Sequence, residues 1–171
     1  GKTPLEWHKV LFSYAKKLKL KIFSTPFSEE AILFLEKLHC PAYKISSFEM
    51  NDYNLIKAAA KTKKPLIIST GLSDISEINE AVKIAKKNGC NDLTLLYCVS
   101  NYPSEATDFN LNVIKELKQK HNCRIGLSDH SLGSEIARYS LIAGARIFEK
   151  HIALSNQKRG LDIEFSLKGK N

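Results

Sequence analysis

The feature that most constrains the fold of this chain is a regular alternation of short apolar runs and longer amphipathic stretches. Six runs rich in aliphatic and β-branched residues are typical of buried strands, over residues 20–23, 42–45, 66–68, 93–97, 124–127 and 146–148. Their starting points are 22 to 31 residues apart, which is the spacing of βα units. A strict alternation of strand and helix predicts a parallel sheet covered by helices.

The stretches around these runs predict amphipathic helices from the spacing of their apolar residues. Five such helices are expected, over residues 4–19, 29–38, 75–87, 109–120 and 135–143. Pro4 is tolerated in a first helical turn, and Asp108 and Ser134 are residue types that cap the start of a helix.

Six βα units in 171 residues fit one α/β domain over residues 1–171, and two architectures remain open. The sheet is either an open, doubly wound sheet or part of a closed barrel. A complete (β/α)₈ barrel usually needs at least about 200 residues, so the chain is too short for one. The glycines form neither G-x-G-x-x-G nor a Walker A motif, which argues against a dinucleotide-binding or P-loop domain.

Composition excludes several functional classes. The net charge is +8, but the lysines are scattered over the polar faces of the predicted helices, so we expect a solvated surface and no nucleic-acid partner. The four cysteines form no C-x-x-C pair, which indicates free thiols in a cytoplasmic protein. No apolar run approaches the roughly 18 residues of a membrane helix. The first residues contain no apolar signal core, so we expect no membrane association.

Hydrogen-bonding or ionisable residues follow every predicted strand. Since the carboxyl ends of parallel strands meet at one edge, we expect a single site there. Lys44 is the most informative of these residues, because a charged lysine inside a strand is costly unless it is paired. It either forms a structural ion pair with Glu49 or Glu149, or it binds an anionic ligand. In the second case the hydroxyls of nearby strand ends would complete the site, namely Thr25, Ser47, Ser69 and Ser128.

Two histidines occupy matched positions after successive strands. His130 and His151 are 21 residues apart, one βα unit, and alternation places them on the strand faces of Ser128 and Glu149 respectively. A lone histidine is more often structural, but two imidazoles so placed can share a cation, with Glu149 as a nearby base. With oxygen ligands completing the set, Mn²⁺ or a similar ion fits better than structural zinc. Asp129, on the opposite face, either orients a histidine or caps the next helix.

Five segments resemble the sialic acid synthase family. They are Phe23-Ser-Thr-Pro-Phe27, Tyr43-Lys-Ile-Ser-Ser-Phe-Glu49, Ile68-Ser-Thr-Gly71, Gly126-Leu-Ser-Asp-His130 and Glu149-Lys-His151, and they are collinear over nearly the whole chain. The resemblance implies a TIM barrel and a phosphoenolpyruvate-dependent, aldol-type condensation. Residues 2–8 and Ser47-Phe48-Glu49, where other branches usually have Ser-Gly-Glu, resemble the branch whose acceptor is a 2,4-diacetamido-2,4,6-trideoxy-altropyranose.

The resemblance also implies roles for individual residues. Metal binding is assigned to His130 and His151 and acid/base chemistry to Glu149, so that Glu149, His130 and Lys44 are the expected catalytic residues. The cation is expected to be Mn²⁺, with Mg²⁺ or Co²⁺ as alternatives. Phosphoenolpyruvate is expected to contact Thr25, Lys44, Ser47, Ser69, Asn101 and Ser128.

The implied enzyme is a transferase of carbohydrate biosynthesis. Its products would be phosphate and a nonulosonic acid, pseudaminic acid. Synthesis of N-acetylneuraminate or legionaminate is the alternative, with N-acetylmannosamine or a 2,4-diacetamido-6-deoxymannose as the acceptor.

Compared with the family pattern, the match covers barrel strands three to eight only. The first two strands are missing, as is the C-terminal antifreeze-like domain that in the family reaches across a dimer to cap the partner's site. We therefore expect an incomplete barrel of six βα units, and a homodimer for the full-length enzyme. For this chain alone we expect no activity or a need for self-association. An inactive fragment that retains an anion-binding edge is the remaining alternative.

Overall fold

The computed structural model describes residues 3–169, and its centre is a parallel sheet of five strands. The strands are β1 (Tyr43–Ile45), β2 (Leu66–Ser69), β3 (Leu93–Cys98), β4 (Arg124–Asp129) and β5 (Phe148–Lys150). They pair in sequential order, β1-β2-β3-β4-β5. A doubly wound sheet reverses its order at a switch point, whereas a barrel adds each strand beside the last. The order therefore favours the barrel alternative.

The sheet is curled, as a contact between its two edge strands demonstrates. Lys44 on β1 and Glu149 on β5 approach to 3.3 Å between Nζ and Oε1. In a flat sheet these strands would lie about 19 Å apart, since neighbouring strands are spaced by about 4.8 Å. Two extended side chains cannot bridge that distance, so the sheet bends around a concave face as half of a barrel does.

Within residues 3–169, six α-helices connect and flank these strands: α1 (Leu5–Lys17), α2 (Glu29–Lys37), α3 (Tyr53–Lys61), α4 (Ile75–Lys87), α5 (Asn112–Lys120) and α6 (Glu135–Ala143). α4 and α6 have the predicted bounds, and the Asp74–Glu77 capping box fixes the start of α4. α3, which begins after the Asp52 cap, was not predicted. The prediction that Asp108 caps α5 was wrong, because its carboxylate accepts the N–H of Glu105 in a preceding 3₁₀ turn.

The first predicted strand, residues 20–23, does not form. Only Ser24 pairs with the sheet, through an isolated parallel bridge to Tyr43. Leu20 is 63% and Phe23 41% exposed, so this edge segment lacks the burial on both faces that stabilises a parallel strand. Among the described residues the main sheet therefore has five strands rather than six, although the bridge still holds Thr25 beside β1.

The last predicted strand, residues 146–148, is shifted toward its carboxyl end. The Cα pairing of β5 with β4 begins at Phe148 and continues through Glu149 and Lys150. Beyond β5, β6 (Ile152–Leu154) and β7 (Leu167–Gly169) form a separate two-stranded parallel sheet. Lys2, part of the segment 2–8 used in the resemblance, lies outside the described residues.

The core lies between the sheet and the outer helices. Ile45, Ile68, Leu95 and Leu127 of successive strands are completely buried, and Ile56 of α3 packs in the same cluster. Burial of such side chains stabilises the fold by roughly 1.5–3 kcal/mol each. Between residues 3 and 169, no helix combines the length and the apolar character that a bilayer span requires.

Candidate functional site

A cavity of about 260 Å³ opens at the carboxyl ends of the strands, on the concave face of the sheet. It draws its wall from every strand of the main sheet and from the segment that follows the Ser24 bridge. Nearly all the side chains predicted to form a site line it: Thr25, Lys44, Ser47, Ser69, Ser128, His130, Glu149 and His151. The curl of the sheet explains how residues more than a hundred positions apart share one small cavity.

Lys44 and Glu149 form an ion pair in the cavity wall, with Nζ and Oε1 3.3 Å apart. Ser128 donates a hydrogen bond of 2.7 Å to the same Oε1. The sequence offers Glu49 or Glu149 as the partner of Lys44 in a structural ion pair, and the partner is Glu149. The carboxylate of Glu49 instead accepts a hydrogen bond from the hydroxyl of Ser46. An ammonium has three donor hydrogens, so Lys44 can hold Glu149 and a bound anion together.

Two serine hydroxyls lie beside this pair. Ser47 Oγ accepts the N–H of Gly71 at 3.1 Å. Ser69 is 2% exposed, and its Oγ has no hydrogen-bond partner among residues 3–169. An orphaned buried hydroxyl is costly, and here it is in the wall of a cavity, where a ligand can satisfy it.

Gly71 lets the end of β2 approach the end of β3. A Cβ at this position would lie 2.8 Å from the carbonyl oxygen of Cys98 and 2.5 Å from Ser100 Oγ. The backbone carbonyl cannot move away without disturbing β3, so only glycine fits. The Ser69-Thr-Gly71 segment is therefore shaped by close packing at the edge of the cavity.

His130 is held in a defined tautomer. Its Nδ1 lies 2.9 Å from the carbonyl oxygen of Val99, and because a carbonyl can only accept, Nδ1 carries the proton and the lone pair is on Nε2. Tyr102 packs over the imidazole with ring centroids 4.1 Å apart. The ring is therefore fixed from one edge and one face.

His151 lies close to His130, with 5.5 Å between the ring centroids. Its Nδ1 is 3.4 Å from Oδ2 of Asp162, and Phe165 packs against both imidazoles. Burial lowers the pKa of His151 below its ordinary value, and this outweighs the opposing effect of Asp162. The imidazole is thus neutral at pH 7, which is the form that binds metals.

These two histidines fit a divalent cation by the chemistry of their donors. In each ring an oxygen engages Nδ1, which is the outer-shell arrangement typical of metal-ligating histidines and leaves Nε2 for the ion. Within residues 3–169, no third His, Cys, Asp or Glu completes a metal-binding cluster. A cation bound here would take its other ligands from water or substrate oxygen.

Two sequence-based expectations concern residues outside the cavity wall. Asn101 is exposed, and its Nδ2 donates to Asp108 Oδ2 at 3.4 Å, so the structure does not bring it to the other predicted residues. Asp129 does not cap α6, which begins after Ser134. Its Oδ1 instead accepts the N–H of Ser131 at 2.8 Å.

Sequence reasoning gave no role to several residues of this site. Cys98, the last residue of β3, and Tyr102, four residues later, line the cavity, and their positions at the carboxyl end of β3 could have indicated this. Asp162 and Phe165 come from an irregular segment more than ten residues beyond β5. No periodicity or motif spacing points to such residues, because their placement depends on how the chain returns over the histidines.

Comparison with known proteins gives a consistent set of relatives. The family model described as "NeuB family" matches residues 1–171. Pseudaminic acid synthase of Helicobacter pylori is 44% identical over 96% of this chain and 48% of its own length. N,N'-diacetyllegionaminic acid synthase of Campylobacter jejuni is 36% identical over 95% of this chain and 49% of its own length.

Among solved structures, the N-acetylneuraminic acid synthetase of Leptospira borgpetersenii, in complex with citrate, superposes with a TM-score of 0.92 at 35% identity. The match covers 98% of this chain and 58% of that one. The chain thus spans about half the length of the curated relatives it matches.

Proposed function

Because this chain belongs to the NeuB family, we propose that its protein condenses phosphoenolpyruvate with an acylated amino-sugar aldehyde to give a nonulosonic acid and phosphate. The observation that carries the proposal is the single cavity that joins the Lys44–Glu149 pair to two neighbouring imidazoles. A lysine ammonium, a carboxylate and two imidazoles line this one small volume, which supports a combination of anion binding, proton transfer and metal binding there.

The proposed acceptor is a 2,4-diacetamido-2,4,6-trideoxy-altropyranose, and the proposed product is pseudaminic acid. Identity is higher to the relative named as a pseudaminic acid synthase, at 44%, than to the one named as a legionaminic acid synthase, at 36%. Ser47-Phe48-Glu49 supports the same branch, and the exposed Phe48 side chain lies at the cavity where an acceptor would enter. Legionaminate and N-acetylneuraminate synthesis are the alternatives to be tested.

The reaction balances without a redox partner. C3 of phosphoenolpyruvate attacks the aldehyde carbon of the open-chain sugar and forms the new carbon–carbon bond, while the C=O π bond breaks and the former aldehyde oxygen takes up a proton. Water adds at C2, and the C–O bond to phosphate breaks as the tetrahedral intermediate collapses to a ketone. The protein must therefore hold two anionic groups of phosphoenolpyruvate and accept a proton from the attacking water.

Lys44 and the hydroxyls supply the anion-binding part. The Lys44 ammonium, with its partner Glu149 already in place, presents its remaining hydrogens to the cavity. The unpartnered Ser69 hydroxyl offers a donor to a carboxylate or phosphate oxygen. Charge-assisted hydrogen bonds of this kind are about twice as strong as neutral ones.

Glu149 is the proposed base. Its Oε1 accepts from Ser128 and contacts Lys44, which fixes the carboxylate and leaves Oε2 outside both contacts. A carboxylate oriented in this way can take a proton from water at C2. A divalent cation held by His130 and His151, with Mn²⁺ as the proposed ion, would supply Lewis-acid polarisation of the substrate oxygens.

Calorimetric titration of phosphoenolpyruvate into the purified protein, with and without Mn²⁺, tests binding. We expect saturable binding that weakens at least tenfold in Lys44→Ala, and no change in Lys57→Ala, a matched loss of charge on the exposed face of α3. Phosphate release in the presence of each of the three acceptor sugars then tests the reaction. Binding without turnover on any sugar by the full-length enzyme would contradict the proposed synthase activity.

The assembly of the whole protein is a separate proposal. We propose a homodimer, in line with the family resemblance, and light scattering on the purified protein tests it. A monomer that turns over substrate would contradict it.

A further inference from the structure

Asp129 and Lys150 form a second ion pair, on the face of the sheet opposite the cavity. Oδ2 and Nζ are 2.9 Å apart, and the side chains are 1% and 11% exposed. Their chain neighbours line the cavity, whereas these two residues do not belong to its wall among the described residues. A buried ion pair is by itself weak evidence for stability, because desolvation offsets the attraction. A role in positioning neighbouring side chains explains this ion pair better than a contribution to stability does.

The pair fixes the backbone immediately after His130. Oδ1 of Asp129 accepts both the N–H of Ser131 at 2.8 Å and its hydroxyl at 2.6 Å. The ammonium of Lys150 also donates to the carbonyl oxygen of Ser131. Residues on both sides of His130 are therefore tied to β5 through one buried lysine.

The Asp129–Lys150 pair lies directly before both histidines along the two strands. Asp129 and Lys150 are the last paired residues of the β4–β5 ladder. His130 and His151 are the next residue on each chain, and neither has a Cα partner in that ladder. The last ladder position before the two imidazoles is thus reinforced by an ion pair between side chains.

We propose that Asp129 and Lys150 are positioning residues that set the separation and orientation of the His130 and His151 imidazoles, and thereby the affinity for a divalent cation. The proposal rests on the two-histidine metal site of the proposed function. Neither Asp129 nor Lys150 contacts the ion or the substrate. Their contribution is made through the backbone from which the ligands project.

The first experiment measures Mn²⁺ affinity by calorimetry in folded variants, with no substrate present. We expect Lys150→Met to weaken Mn²⁺ binding by about 10- to 100-fold, the range found when outer-shell partners of metal ligands are removed. Lys150→Arg keeps the charge and should stay within about threefold of wild type. Lys64→Met removes a different ion pair, between the loop that precedes β2 and Glu36 of α2, and should leave Mn²⁺ affinity unchanged.

Wild-type affinity in folded Lys150→Met, or an equal loss in Lys64→Met, would overturn the proposal. Should Lys150→Met fail to fold, Lys150→Gln retains one donor for Asp129 without the charge. It should show an intermediate loss of affinity, and wild-type affinity there would equally overturn the proposal.

A metal-free measurement separates this proposal from the metal site itself. Nitrogen-15 spectra report the tautomer of His130, which we expect to be the single Nδ1–H form in the wild type and a mixture in Lys150→Met. A mixed tautomer in the variant supports positioning even if His130→Ala and His151→Ala show that neither histidine binds Mn²⁺. An unchanged single tautomer would contradict positioning, whatever the metal data show.

Discussion

Two consecutive residues of β5 form ion pairs of different character. Glu149 pairs with Lys44 across the concave face, and its side chain is 37% exposed to the cavity. Lys150 pairs with Asp129 of the neighbouring strand on the other face, where both partners are enclosed. Alternation of side chains along a strand separates the two pairs by a single residue. One short strand therefore presents one pair to a ligand and encloses the other in the fold.

The two ion pairs differ in how far water and ligands can reach their charged groups. Water and ligands reach the Lys44–Glu149 pair, so an incoming anion can share Lys44 without leaving a charge unpaired. The Asp129–Lys150 pair differs in its carboxylate, which is 1% exposed, and loss of either partner leaves the other charge largely buried and unpaired. We therefore expect changes on the concave face to act directly on the reaction, and changes on the opposite face to act on stability and, through the backbone, on the placement of the two histidines.

The largest expected effect is on turnover, from Glu149→Gln. The amide keeps an acceptor for Ser128 and Lys44 but cannot take a proton, so phosphate release should slow by about 10²- to 10⁴-fold. The free energy of unfolding should also fall, by about 1.5–3 kcal/mol, because the Lys44 ammonium loses its charged partner and keeps only an amide acceptor. Steady-state kinetics and urea unfolding on the same preparation check both values. Wild-type turnover would remove Glu149 from the mechanism.

On the opposite face, Asp129→Ala should lower the free energy of unfolding by about 3–5 kcal/mol, because it leaves Lys150 buried without its partner. Chemical denaturation measures this loss. The double variant Asp129→Ala/Lys150→Met should recover part of it, since both charges are then removed. A double variant that is less stable than the sum of the two single changes would contradict this account.

Two serines allow the same comparison with smaller changes. Ser69 Oγ, on the cavity side, has no partner among the described residues, so Ser69→Ala should leave stability unchanged or slightly raised and weaken phosphoenolpyruvate binding about tenfold. Ser131 Oγ donates to Asp129, so Ser131→Ala should cost about 1 kcal/mol of stability. Thermal unfolding and calorimetry of both variants test the contrast. A reversal of the two stability results would contradict it.

The carboxyl ends of the strands could be predicted from the sequence, because the length of each apolar run and the polar residues that follow it indicate the same position. Short apolar runs that end in polar residues located the cavity-lining positions Lys44, Ser128 and Glu149 on one edge. Alternation placed Asp129 on the other face, as the structure has it. The choice between a barrel and an open, doubly wound sheet required the strand order, because apolar runs do not show which strands are neighbours.

Other parts could not be predicted for identifiable reasons. Residues 20–23 have the composition of a strand, but at the edge of the sheet only Ser24 pairs, and composition does not report a missing neighbour. The contact of Asp162 with His151 depends on a loop that returns from beyond β5. Local patterns describe elements, whereas both of these outcomes depend on tertiary placement.

The smallest expected effect comes from pH, and it involves neither ion pair. His121, between α5 and β4, is buried, and Nε2 has no partner among residues 3–169. Burial lowers its pKa below the ordinary value, and the nearby cations of Lys86 and Lys120 lower it further. Below about pH 6.5 the unfolded chain therefore binds more protons at this residue than the folded chain does.

It follows that the stabilising contribution of a neutral His121 is complete above about pH 6.5 and is lost as the pH falls through the lowered pKa. Because burial lowers the pKa of His151 as well, the informative quantity is the difference between wild type and His121→Gln. Urea unfolding from pH 7.5 to 5 should give a shallower pH slope in the variant. Equal slopes would mean that His121 protonates as easily in the folded chain as in the unfolded chain, and that the acid sensitivity arises elsewhere.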